Sequence, residues 1–279
     1  MIKTISAATL TLLLAGVASP ALAQSVPDWS GPYIGVYGGV LENNEDAGEG
    51  LMFDRDFDGQ FDDTVILSGT TDNAFRPGSC SGSASGQAAA NGCDVDPTGV
   101  EASVRLGYDM QFGAFVVGAV GELSGADVED SVTSFSTTPA AYVFTRELET
   151  MAALRLRAGF ATGPALIYVT GGGAMAKIEN SFRTTNTANS FTETVNDDEA
   201  DGYQLGTGIE WRLAPNFTLT GEYLFTNLQP GDYVVRAGPG TAGPTNPFLL
   251  PPNTAGTDIA RGNDGMELHA IKLGMNVRF

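Results

Sequence analysis

The chain has 279 residues, 42% hydrophobic and 17% charged, and 33 acids against 14 bases leave a formal charge of −19. So few bases exclude a phosphate-reading nucleic-acid binder, two cysteines and one histidine are too few for a zinc ribbon, and a polytopic helical membrane protein would need recurring runs of about 20 apolar residues. The 36 glycines follow no G-x-y period and point to turns and closely approached strands.

Lys3, the apolar stretch from Ile5 to Val17 and the triplet Ala21-Leu22-Ala23 form a secretory signal peptide over residues 1–23, with cleavage after Ala23. The apolar stretch is too short for a membrane anchor. Export makes the two cysteines disulfide-permissive. Residues 24–279 read as one domain.

That domain alternates with a period of two, the period of a strand. Eight segments show it, roughly 33–41, 99–111, 115–124, 146–160, 165–178, 202–213, 217–226 and 267–279. In the second, Val100, Ala102, Val104, Leu106, Tyr108 and Met110 share one face, and Glu101, Ser103, Arg105, Gly107, Asp109 and Gln111 the other. Gly113-Ala114, Thr162-Gly163-Pro164 and Ala214-Pro215-Asn216 are tight turns. Long polar loops cover about 42–98, 125–145, 179–201 and 227–266. Short turns at one end and long loops at the other predict an all-β fold. It is an eight-stranded antiparallel up-and-down transmembrane barrel with periplasmic turns and extracellular loops. A soluble sandwich or lipocalin-like barrel would turn the charges outward. Small residues and charges of both signs on the polar faces, and aromatics near segment ends, favour a narrow filled lumen with interfacial girdles.

The stretch from Trp29 to Gly39 resembles the first strand of small Gram-negative outer-membrane barrels, the OmpA-like and opacity-protein superfamily in its alphaproteobacterial, porin-like version. Gly171-Gly172-Gly173-Ala174 and Gly221-Glu222-Tyr223-Leu224 are similar to it too. The resemblance covers the strands and the barrel alone, and the first loop is far longer than is usual for the family. It implies a location in the outer membrane, among outer-membrane lipid and lipopolysaccharide. It also implies that Phe279, closing the alternating stretch from Lys272, is an assembly signal recognised by the barrel-assembly machinery.

The lumen parity holds Glu101, Asp109, Glu122, Glu147, Glu149, Glu210 and Glu222 against Arg105, Arg155, Arg157, Arg212, Lys272 and Arg278. Buried charges need partners, and opposite charges on neighbouring strands supply them. The result is a static salt-bridged filling or a pore with a movable ion-pair plug. An eight-stranded barrel is just wide enough for its side chains, which favours the filling. The excess negative charge then lies outside: the first loop carries twelve acids and two arginines. An acidic rim attracts cations and basic partners.

Catalytic chemistry is sparse. His269 is the single histidine and falls on the lipid-facing parity. A lipid A deacylase would show a His-x-Ser pair, and here Ile271 stands in place of the serine. Gly171-Gly172-Gly173 lacks the Lys-Ser/Thr of a phosphate loop. No enzyme is expected, and no cofactor apart from calcium. Asp54, Asp56, Asp58 and Asp62, with Gly59, match positions 1, 3, 5, 9 and 6 of a calcium loop. Position 12 is Val65 instead of Glu. An oxygen-rich cation site and a merely acidic loop both fit. Cys80 and Cys93, thirteen apart in the same exported loop, are expected to be bridged, worth about 3 kcal/mol locally on the chain-entropy model. The function expected is that of a structural or surface-interaction barrel with an unidentified surface ligand. The alternative is a small diffusion channel.

Overall fold

The computed structural model describes residues 27–43, 49–262 and 265–279, so the signal peptide expected over 1–23 lies outside the described residues. Eight long strands form the body: β1 (Gly31–Asn43), β2 (Gly99–Phe112), β3 (Phe115–Ser136), β4 (Ala140–Thr162), β5 (Ala165–Thr184), β6 (Glu199–Ala214), β7 (Phe217–Pro230) and β8 (Met266–Arg278). Each pairs antiparallel with the next. Pairing of β1 with β8, from Tyr33 opposite Arg278 to Asn43 opposite Leu268, closes the ring. The connections β2–β3, β4–β5 and β6–β7 are the two-residue turns at 113–114, 163–164 and 215–216.

Alternation sorts the two faces as the sequence predicts. Leu106, Leu156 and Leu273 are 66%, 72% and 65% exposed on the outside, while their neighbours Arg105, Arg157 and Lys272 are buried inside. The outside therefore meets lipid. Leu273→Arg is expected to cost roughly 2–4 kcal/mol, the penalty for a cation near the bilayer midplane. Lys272→Gln changes a residue of the opposite face, so it should incur no lipid penalty and act only through the lumen, where Glu101 and Glu122 lose a cation. A urea titration in lipid vesicles measures both, and a harmless arginine at 273 would invert the facing.

The loops depart from expectation. Segments of 125–145 and 179–201 taken for loop are largely strand, because β3, β4 and β5 run 22, 23 and 20 residues and stand well above the apolar belt. Only residues 137–139 join β3 to β4. What holds these extensions up is a second sheet. Strands Ser190–Asn196, Tyr233–Gly238, Thr257–Arg261 and Leu51–Asp54 pair in that order. Its apolar side, with Phe53, Tyr233, Val235 and Ile259, packs with Val132, Tyr142 and Phe144 of the extensions and with Phe75 and Phe248. The loops thus have their own hydrophobic core and form a cap over the barrel.

A bulge separates the two levels. Between Gly125/Thr150 and Val128/Leu148 the β3–β4 register shifts, and β4 shifts again against β5 between Leu148 and Thr150. Below it, odd residues of β4 (Met151, Arg155, Arg157) face inward. Above it, even ones do (Phe144, Arg146, Leu148). A bulge inserts a residue and reverses parity.

Candidate functional site

The lumen is filled in layers from the periplasmic end upward. Trp29, fully buried, lies at the mouth under the guanidinium of Arg278, which donates to its carbonyl at 2.6 Å. Above it is a layer of two acids and two bases. Arg157 donates to both oxygens of Asp109, at 2.9 and 2.7 Å, and to Glu210 at 3.0 Å. Arg278 bridges Glu210 at 2.9 Å and Asp109 at 2.5 Å. The next layer has three of each sign. Glu122 accepts from Arg105 Nε at 2.6 Å, Arg155 at 2.9 Å and Lys272 at 2.6 Å. Glu222 takes the fork of Arg105 at 2.6 and 3.1 Å, and Lys272 also reaches Glu101 at 2.7 Å. Gln204 accepts from Arg155. Neutral layers of this kind satisfy buried charge by charge-assisted bonds. Above them the lumen turns apolar: Leu41, Leu148, Met151, Ile178, Leu224 and Leu268 pack together.

The sequence-predicted set is brought together with three exceptions. Glu147 and Glu149 face outward, because the bulge reverses parity between them and Arg155. Arg212 sits at the periplasmic rim, half-buried over the Trp29 ring at 4.6 Å, and donates to the carbonyls of Asp28 and Pro215 rather than to a carboxylate. Removing these three makes the filling electrically neutral, five acids against five bases.

Tyrosines complete the lumen, and the periodicity did not single them out. Arg105 lies 3.9 Å from the Tyr37 ring centroid, and Arg157 is 4.8 Å from that of Tyr168, whose hydroxyl donates to Glu222 at 2.6 Å. Their signal in the sequence is glycine. Tyr33 lies directly opposite Gly107, and Tyr37 opposite Gly274. A Cβ at Gly107 would come within 2.2 Å of the Tyr33 ring, and one at Gly274 within 2.1 Å of the Tyr37 ring. The bare backbone lets each ring lie flat along the wall.

Outside, just above the apolar belt, Glu147 stands directly between Glu129 of β3 and Glu179 of β5. Burial, then the charges of Asp127, Glu129 and Glu179, push its carboxyl above the usual range. Lys177 is engaged with Asp198 at 3.4 Å. Directly opposed like charges destabilise a sheet. Glu147→Gln is therefore expected to stabilise the protein by about 0.2–1 kcal/mol at neutral pH. The sign follows from linkage: a carboxyl with a raised folded value binds its proton more tightly when folded, so it costs stability as pH rises through that value. The gain should vanish on acidification. A urea midpoint that falls in Glu147→Gln at pH 7 would contradict this.

In the cap, Cys80 and Cys93 are disulfide-bonded. The bridge closes a small lobe in which Ser83–Ala84 pairs with Cys93–Asp94. The adjoining strand Gly78–Ser81 pairs with β3 from Phe135 to Val132, beyond the point where β2 leaves it. The carboxylates of Asp54, Asp56 and Asp58 come within 4.8 Å of one another. Each closes a turn: Asp54 accepts the N–H groups of Phe57 and Gly59, Asp56 that of Asp58, and Asp58 that of Gln60. Asp62 is not in the group; its neighbour Asp63 turns in and accepts the N–H of Arg55 at 2.7 Å. Calcium takes six to eight oxygens, of which these three carboxylates would supply three if each bound through one oxygen. His269 lies on the outer face, 2.7 Å from the Tyr223 hydroxyl.

A closed ring of eight strands, apolar outside and ion-paired within, defines a small bacterial outer-membrane barrel. The chain belongs to the outer membrane protein beta-barrel domain family, whose model matches residues 9–279. It is 27% identical over 188 residues to the 31 kDa outer-membrane immunogenic protein of Brucella melitensis biotype 1, over 67% of this chain and 69% of that protein. The figures are the same for the protein of that name from Brucella suis biovar 1. Among solved structures it is similar to the outer membrane protein OprG from Pseudomonas aeruginosa, with TM-score 0.48 and 12% identity, over 90% of this chain and 97% of that one. The protein resides in the outer membrane.

Proposed function

We propose that this is a non-conducting surface-interaction protein: the barrel is an anchor and the cap presents a binding face to the exterior. The observation that carries the reading is the filled lumen. Trp29, two neutral ion-pair layers and an apolar cluster follow one another along its axis, with Lys272 and Trp29 fully buried and Arg155 1% exposed. A conducting route would have to break several charge-assisted bonds at once. Loops ordered around a hydrophobic core, at a conformational cost that bare solubility does not require, support a role for the cap itself. A non-enzymatic role is supported by His269, bonded to Tyr223 on the lipid-facing surface and away from the lumen carboxylates. Lipid and lipopolysaccharide around the belt, and the barrel-assembly machinery acting on β8 and the adjoining Phe279, are the partners this reading takes.

Planar-bilayer recording of the refolded protein tests it. Absence of stable unitary steps is the expected result. Large, stable steps would replace this reading with that of a small diffusion channel.

A further inference from the structure

At the tip of the cap, farthest from the membrane, lies a cleft of about 400 Å³. All four extracellular connections contribute to it. Phe75 and Gln87 come from the first, the turn at 137–139 from the second, Asn186 and Thr187 from the third, and Phe248 from the fourth. In a chain of formal charge −19 the lining contains no charged side chain.

The lining divides into two chemistries. The floor is apolar: the rings of Phe75, Tyr142 and Phe248 meet there, with centroids 5.1–5.9 Å apart. The rim is neutral and polar. Part of it is held in place, since Asn186 donates to the Tyr142 hydroxyl at 2.9 Å and Asn246 donates to Asn189 at 3.0 Å. The rest is uncommitted: among the described residues the side chains of Gln87, Thr137, Thr138 and Thr187 have no hydrogen-bond partner within the protein, and all four line the cleft. Gln87 stands on the lobe closed by the Cys80–Cys93 bridge, and Thr137 is fixed by its N–H donating to the carbonyl of Ala74 at 2.8 Å. The cleft is thus built by long-range contacts between loops distant in sequence.

Each class of ligand makes a different demand. An anionic or cationic ligand needs a countercharge. A purely apolar ligand gains nothing from a rim of hydroxyls and amides, which it would strip of water. A neutral sugar presents hydroxyls that pair with uncharged donors and acceptors, and C–H faces that pack on aromatic and apolar surface. The volume lies in the range of small-ligand sites.

We propose that this cleft binds an uncharged saccharide. The proposal deepens the surface-interaction reading and rests on it. The source of the sugar, the bacterium's own surface polysaccharide or an external glycan, is distinguished by the arms of the test.

The refolded full chain is applied to a glycan array carrying neutral and anionic oligosaccharides, with polysaccharide purified from the surface of the bacterium that makes the protein as a separate arm. Neutral glycans bound at least ten-fold better than sialylated or sulfated ones are the expected result, and the arm that binds names the source. Two variants localise the site. Thr187→Trp fills the cleft, and Gln87→Ala removes a free rim group; both positions are exposed. Thr187→Trp should reduce binding at least ten-fold and Gln87→Ala several-fold, with the heat-modifiable mobility of the barrel unchanged. No neutral glycan bound at millimolar concentration, preference for anionic glycans, or full binding by Thr187→Trp each overturns the proposal. Because bilayer conductance is read separately, a conducting barrel that binds sugar, or a silent one that does not, shows which of the two readings failed.

Discussion

Glu122→Gln is expected to destabilise the barrel by about 3–5 kcal/mol, the penalty for leaving a buried charge uncompensated. Three cations converge on this one carboxylate, with Arg105, Arg155 and Lys272 all within 2.9 Å. All four side chains are at most 2% exposed. Glutamine keeps the shape and loses the charge, so the layer changes from three acids and three bases to two and three. The excess positive charge has no route to water through the Trp29 end or the apolar cluster above. A urea titration of the variant in lipid vesicles should show a markedly lower midpoint. Adding Lys272→Met, which removes one cation from the same layer, should recover part of the loss, because an apolar isostere can replace a buried pair at little cost. A Glu122→Gln barrel as stable as the parent would mean that the layer tolerates excess charge and that water reaches it.

How much of this was legible in the sequence depends on the regularity of each element. Arg105, Asp109, Glu222 and Lys272 could be placed in the lumen because their strands alternate without interruption through the membrane level. Glu147 and Glu149 could not, because the bulge beside Leu148 leaves no mark in hydrophobicity: Thr150, Ala152 and Leu154 continue the pattern after parity has changed inside. The upper lumen was hidden by chemistry. A lumen expected to be polar gave no reason to read Leu224 and Leu268 as core, although both hold the inward parity. The cap was hidden by composition. Phe53, Phe75, Phe248 and Ile259 are scattered among acids, glycines and prolines, and only long-range pairing brings them together. Asp54, Asp56 and Asp58 were legible as a group, since alternate spacing around Gly59 forces a sharp turn. Asp62 was not, because the chain beyond the turn runs back along Phe53 and presents Asp63.

Arg261→Met is expected to release the cap while leaving the barrel folded. Arg261 ends the cap strand Thr257–Arg261 and is 4% exposed. It donates to Asp130 of β3, to the carboxylate at 2.7 Å and the carbonyl at 3.0 Å, and to both oxygens of Glu49 at 2.8 and 3.0 Å. One guanidinium thus ties the second sheet, the start of the first loop and the barrel wall. Methionine matches its length and removes the charge, which takes from Asp130 and Glu49 the guanidinium that joins them. The cost of breaking such a pair is about 3–5 kcal/mol. It falls on the cap, because the barrel keeps its own ladders and its own neutral lumen. Limited proteolysis should therefore cut the variant within the cap strands Leu51–Asp54 and Tyr233–Gly238, where the parent resists. The urea midpoint of the barrel should stay near the parent value. Adding Asp130→Asn, which removes one of the two opposed carboxylates, should restore part of the protection. If Arg261→Met resists protease as the parent does, the aromatic core around Phe75 holds the cap by itself and the ion pair is dispensable. If the barrel unfolds together with the cap, the two cores form one cooperative unit, and the surface face cannot be altered without altering its anchor.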